Sequence, residues 1–192
     1  MKILFANMIC GYFGGIEQVI VNTAGGLRAR GHQSYLAYAT EERNVEEFTE
    51  PMEGHYVCSD LGFATPPEKS STFDVILERV KPDAVFFHKL GKLPPMTERL
   101  KRVRTVRMVH DHDLYCPTGY KYFRKSGRVC HHKADWRCYG DLAFLEKNPK
   151  SPLGVSVVSI GKKIKEMRRS HALNAILPVS SFIWDSLVQN GF

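Results

Sequence analysis

Short apolar runs alternate with helix-period segments along almost the whole chain, and this alternation restricts the fold more than any single motif does. Lys2–Ala6 reads as a buried strand that stops at Asn7. Ile16, Val19, Ile20, Ala24 and Leu27 then recur at helical spacing, predicting an amphipathic helix over roughly 15–30 that ends near Gly31. Residues 33–40 read as a second strand and 56–59 as a short third. A loop at 64–71 ("ATPPEKSS") leads to a helix over 72–83, closed by Lys81-Pro82. "AVFFHK" is the next strand, "PPMTERLKR" a short helix begun by proline, and "RTVRMVHDH" a further strand. A basic helix near 155–170, a strand at 174–180 and a helix reaching Phe192 complete the series. Such a series predicts an α/β fold: a Rossmann-like parallel sheet with helices on both faces.

Between 111 and 152 the pattern is lost, and the segment reads as a long excursion rich in cysteine, histidine and aromatic residues. One domain over 1–192 accommodates the whole, since a chain of 192 residues can bury roughly 70% of its unfolded surface. No apolar run approaches the ~18 residues of a membrane span, and the N-terminal stretch lacks the small-residue cleavage site of a signal peptide. Five cysteines without an export signal are expected as reduced thiols in a cytosol. A formal charge of +7 includes two basic runs, 98–107 and 161–171. They suit an anionic partner (nucleic acid, a nucleotide phosphate or an acidic membrane surface), or they are solvated helix faces.

In an open parallel sheet, ligands sit beyond the carboxyl ends of the strands. The residues closing each expected strand are polar: Asn7 followed by Gly11, Gly14 and Gly15; His88 and Lys89; His110, Asp111 and His112; Ser180 and Ser181. The glycines lead into a helix, where exposed N–H groups and the helix dipole favour an anion such as a diphosphate. Their spacing is neither G-x-G-x-x-G nor a P-loop. A plain tight turn would also use a glycine pair.

Three separated stretches carry a family resemblance. "GGIEQVIVNTAGGLRARGH", "RTVRMVHDHDLYCP" and "AILPVSSFIWDSLVQNGF" resemble, in order, the glycine–glutamate loop and opening helix, the strand ending in His-Asp, and the closing segment of the first domain of family-4 (group 1) glycosyltransferases of the GT-B type. The resemblance implies the N-terminal, acceptor-side half of a retaining enzyme that moves a hexose from a nucleotide sugar to a glycan or lipid-linked acceptor. It also implies a second Rossmann-like domain, beyond this sequence, that holds the nucleotide sugar; the half alone is expected to be inactive. The expected setting is cytoplasmic, with the basic helix 161–171 able to rest on anionic membrane.

Under that resemblance, Gly14, Gly15 and Glu17 face the donor phosphates. His110 orients or deprotonates the acceptor hydroxyl or contacts the donor sugar, and Asp111 fixes its tautomer or binds a hydroxyl. Asn7, Tyr115, Tyr120 and Ser180 are expected on the acceptor side. The competing reading of His110 is a packed strand-end side chain, and that of Glu17 a carboxylate complementing the helix dipole. His88 and Lys89 match no motif. No cofactor is expected in this domain beyond the nucleotide sugar as co-substrate. Cys116, Cys130 and Cys138 with His131 supply ligands for a structural zinc, but the spacings C-x13-C and C-x7-C lack a C-x2-C knuckle, and packing explains them without metal. Aromatic residues of the same loop, Tyr115 and Tyr120 among them, form either a sugar-stacking platform or a satellite core. The alternative function is a nucleic-acid- or metal-binding module built on the basic helices and the Cys/His loop, though no reader motif is present.

Overall fold

The computed structural model describes residues 1–12, 14–62, 72–123, 126–148, 151–152, 154–157 and 159–192. Its elements run β1 (Lys2–Cys10), α1 (Gly15–Arg28), β2 (Gln33–Glu41), α2 (Val45–Thr49), β3 (Gly54–Val57), α3 (Phe73–Val80), β4 (Ala84–Phe87), α4 (Glu98–Lys101) and β5 (Arg104–Val109). They continue through β6 (Leu145–Lys147), β7 (Val155–Val157), α5 (Ile160–Arg169), β8 (Ala175–Pro178) and α6 (Ser181–Gln189). The loop expected at 64–71 lies outside the described residues. The chain divides into two compact units: Met1–His110 with Leu173–Leu177, and Asp111–Ala172 with Pro178–Phe192.

The first unit is built on a six-stranded sheet in the order β3-β2-β1-β4-β5-β8, with β1–β2, β1–β4, β2–β3 and β4–β5 all parallel. This is the doubly wound order, and it reverses direction between β1 and β4. One face of the sheet packs Phe5, Leu36 and Tyr38 against Ile20 and Ala24 of α1 and Phe48 of α2. The opposite face packs Leu4, Ala6, Ala37, Val85 and Phe87 against Phe73, Ile76, Leu77 and Val80 of α3 and Leu100 of α4. Strands covered on both faces must be apolar throughout, which is why these runs do not alternate. Each fully buried Leu, Ile or Phe contributes about 1.5–3 kcal/mol of burial. Asn174 holds β8 to β5, its Oδ1 accepting from the Thr105 N–H at 2.8 Å and from Thr105 Oγ1 at 2.9 Å.

Helix α1 places Ile20 and Ala24 four residues apart on its buried side, and Gly31 takes a φ of +76° just beyond its end. Helix α3 stops at Lys81, which takes a φ of +49° ahead of Pro82.

Several boundaries differ from the sequence expectation. β1 does not stop at Asn7 but runs to Cys10, pairing Ile9 with Thr40 and Cys10 with Glu41. A polar residue need not end a strand when its side chain is satisfied inside, and Asn7 is. The third strand forms at Gly54–Val57 rather than 56–59, and the one expected to include His88 ends at Phe87. The basic helix begins at Ile160, capped by Ser159 Oγ accepting from the Lys162 N–H at 3.2 Å; Val155–Val157 ahead of it is a strand.

The second unit contains the antiparallel pair β6–β7, the helices α5 and α6, and an isolated bridge between Tyr122 and Val129. Its buried side chains include Tyr115, Ile160, Met167, Ile183 and Leu187. The Ala134 N–H donates to Asn190 Oδ1 at 2.8 Å, and the buried Lys121 ammonium donates to the His132 carbonyl at 2.5 Å. Among the described residues, no helix is long and apolar enough to cross a membrane.

Candidate active site at the strand ends of the first unit

The reversal point between β1 and β4 is where a ligand is expected in such a sheet. There, two groups of polar contacts, Gly14–Glu17–Asn7–Lys89 and His88–His110, meet at the His88–Lys89 peptide and tie three neighbouring strands to one helix. Asn7 sits within β1, fully buried, on the same face as Phe5. Its Nδ2 donates to Glu17 Oε1 at 3.1 Å and to the Ile9 carbonyl at 2.8 Å, while its Oδ1 accepts from the Lys89 N–H at 3.1 Å. The two acceptors and one donor admit a single orientation of the amide. Glu17, buried in the first turn of α1, accepts from the Gly14 N–H through Oε2 at 3.0 Å. The Met8 N–H donates to the Lys89 carbonyl at 2.7 Å, so β1 and β4 remain tied past the last ladder pair.

His88 follows β4 on the α1 side of the sheet, where its ring lies 4.6 Å from Phe86 and 5.8 Å from Phe5, centroid to centroid. It is buried, and burial, reinforced by the neighbouring His110, pushes its pKa down to about 3, so the ring is neutral at physiological pH. His88 Nδ1 and His110 Nε2 are 3.0 Å apart, with ring centroids 5.3 Å apart and ring planes inclined by 22°. His110 immediately follows β5. The path Gly14–Glu17–Asn7–Lys89–His88–His110 therefore runs along one face of the sheet, from the mouth of α1 to the end of β5.

The glycines separate into two kinds. Gly11 takes a φ of +118°, and a Cβ there would lie 2.5 Å from the Arg43 carbonyl oxygen, so only glycine fits. Gly14 is extended with a φ of −171°, and a Cβ on it would meet only Glu17 Oε2 at an ordinary 3.8 Å. Around Gly15 nothing lies within 4 Å of where a Cβ would be. Both are exposed, and neither is demanded by the internal packing. The first α1 turn bond, from the Gln18 N–H to the Gly14 carbonyl, is 3.4 Å. The N–H groups of residues 15–17, ahead of it, have no acceptor within the helix and carry its positive end.

The expected site residues therefore fall in different places. Gly14, Gly15, Glu17, Asn7 and His110 lie in the first unit and are brought together. Glu17 turns its carboxylate inward to hold the glycine turn, and Asn7 is a buried brace, not an acceptor-facing residue. Asp111, Tyr115, Tyr120 and Ser180 belong to the second unit. Asp111 Oδ1 accepts from the Asp113 N–H at 3.0 Å. Tyr115 is buried, its hydroxyl 2.5 Å from His112 Nδ1, and burial above all pushes its pKa up to about 12. Tyr120 is exposed, its ring 5.6 Å from that of Tyr122. Ser180 caps α6, its Oγ accepting from the Ile183 N–H at 3.3 Å. Cys116, Cys130 and Cys138 are half-buried free thiols, His131 is exposed, and among the described residues no group of three or more His, Cys, Asp or Glu is disposed to hold a metal ion. His88 is the residue that motif reading missed. Its signal was its position: two residues after Phe86, it had to share that face of the sheet, at the strand end where a ligand is expected.

Compared with known protein families, residues 13–140 match Glycosyltransferase Family 4. The chain belongs to glycosyltransferase family 4. Its parallel sheet with helices on both faces is the Rossmann-like N-terminal half of the GT-B type. The match takes in α1, His88 and His110, and stops before α5, β8 and α6. No curated protein and no solved structure matches the chain.

Proposed function

We propose that this family-4 domain forms the acceptor-side half of a retaining transferase, which moves a hexose from a nucleotide sugar to a glycan or lipid-linked acceptor in polysaccharide assembly. The observation that carries the reading is the polar path joining the Gly14 turn to His110 along one face of the sheet. A transferase must stabilise a departing diphosphate and hold an oxocarbenium-like sugar against a hydroxyl, which is a task of orientation and fixed dipoles. Gly14 and Gly15, exposed and without side chains, let phosphate oxygens approach the backbone N–H groups that begin α1. His110 stands at the other end of the path, positioned to hydrogen-bond the sugar or the hydroxyl. Glu17 and Asn7 serve as braces that fix the turn. The exposed pair Tyr120 and Tyr122 offers ring faces of the kind on which sugars stack.

The reading calls for a second Rossmann-like lobe to grip the nucleotide sugar, and these 192 residues by themselves are expected to transfer no sugar. The setting proposed is the cytoplasmic face of a membrane. Lys162, Lys165 and Arg168 recur every three residues on the exposed side of α5, opposite the buried Ile160 and Met167, and would rest on anionic lipid. Salt-sensitive flotation with vesicles containing anionic phospholipid tests that contact, and its absence would remove it.

A thermal-shift panel of nucleotide sugars, nucleoside diphosphates and short nucleic acids tests the main reading. Stabilisation by at least one nucleotide sugar or diphosphate, weakened by Gly15→Ala, is the expected result. Stabilisation by nucleic acid alone at physiological salt would replace the transferase reading with nucleic-acid binding.

A further inference from the structure

The two histidines at the strand ends share one short contact, His88 Nδ1 to His110 Nε2 at 3.0 Å, and one of these nitrogens must carry the proton between them. Which one does is decided by the far side of His88. His88 Nε2 is buried and has no hydrogen-bond partner among the described residues. The rings of Phe5 and Phe86 pack against His88, and the His110 ring is a titratable group facing it. If His110 donated from Nε2 to His88 Nδ1, then neutral His88 would carry its own proton on Nε2, leaving a buried N–H with nothing to bond. If His88 donates from Nδ1, the partnerless Nε2 is a bare lone pair. Orphaned buried N–H groups are the rarer and costlier of the two. A doubly protonated His88 would charge a ring set among apolar side chains, which burial opposes.

We propose that His88 is the positioning residue of the site: it donates its Nδ1–H to His110 Nε2 and thereby holds neutral His110 in the Nδ1–H tautomer. The inference rests on the reading of His110 as the residue that meets the sugar or the hydroxyl, and it decides between that residue's two candidate roles. With Nε2 occupied as an acceptor and Nδ1 carrying a proton, neutral His110 has no free lone pair. Lacking a lone pair, it cannot take the acceptor's proton, and its role there is to orient. The tautomer is set from behind by a second ring, in the way that a hydrogen bond at one imidazole nitrogen dictates the state of the other.

The test is a long-range 1H–15N correlation spectrum of the imidazoles in the 15N-labelled chain near neutral pH, with His110 assigned by its loss in His110→Gln. The expected result is Nδ1–H for both His88 and His110, against the Nε2–H form that a solvated histidine prefers. In His88→Phe, which keeps a ring but no donor, His110 should revert to Nε2–H. In His88→Asn, whose amide nitrogen sits near the Nδ1 position, His110 should stay Nδ1–H. A wild-type His110 carrying Nε2–H overturns the proposal, as does an unchanged His110 tautomer in His88→Phe. If His88→Phe does not fold, the wild-type and His88→Asn spectra decide alone. The spectrum is recorded without any sugar donor, so its failure is separate from that of the transferase reading, which instead fails if no nucleotide sugar shifts the His110 resonances.

Discussion

Asn7, Glu17 and His88 in the first unit are 0%, 4% and 1% exposed, whereas Tyr120, Trp136 and Tyr139 in the second are 63%, 78% and 50% exposed. The first unit hides polar groups in its core, and Asn7, Glu17 and His88 each find a hydrogen-bond partner there. The second displays large aromatic faces on a frame of short strands and turns. The difference teaches where rigidity is placed. Polar groups with a fixed geometry are braced by strands covered on both faces, and the large aromatic rings of the second unit are left exposed. Substitutions should therefore act very differently in the two units.

The largest effect is expected at Asn7. Asn7→Leu removes a side chain that makes three hydrogen bonds and strands Glu17 Oε1 and the Lys89 N–H in the interior. A loss of about 3–5 kcal/mol should appear in urea unfolding. The next effect is one of pH. The His88 pKa falls from an ordinary 6.5 to about 3 on folding, so between those values the unfolded chain binds the extra proton. Its contribution is intact above pH 6.5 and is lost progressively as the pH drops toward 3, a total of a few kcal/mol. His88→Asn should flatten that part of the stability–pH curve, and an unchanged slope would show that His88 is not buried neutral.

Gly11→Ala should cost about 1–3 kcal/mol, because the new Cβ meets the Arg43 carbonyl and the positive φ is unfavourable. Gly15→Ala sharpens the contrast by splitting stability from function. At the first position of α1, with open space around it, alanine should raise stability by up to about 1 kcal/mol while weakening phosphate binding. In the second unit, Trp136→Ala should stay within about 0.5 kcal/mol of the parent in the same urea assay.

The architecture of the first unit was legible because its information is local. Apolar runs of strand length between segments such as Ile16–Leu27 leave few arrangements other than a parallel sheet. The polar path was only partly legible. Asn7 looked like a strand terminus because sequence shows a polar residue but not the partners that satisfy it, and Glu17 and Lys89 reach it from 10 and 82 residues away. Glu17 could be read outward or inward, and only the geometry turns it toward Gly14. His88 was visible as a strand-end residue, yet its meaning depends on a ring 22 residues further on. In the second unit, where periodicity is weak, the β6–β7 pair and the burial of Tyr115 had no periodic signal to announce them.

One claim supports the rest: the glycine turn before α1 and His110 after β5 serve the same ligand. Titrating the 15N-labelled chain with a nucleotide sugar, while following the Gly14 and Gly15 amides and the His110 imidazole together, tests it directly. The expected result is that all three sets of signals move along one binding curve, and that Gly15→Ala weakens the His110 response in parallel. His110 signals that move while both glycine amides stay still, or two curves with different midpoints, would contradict it.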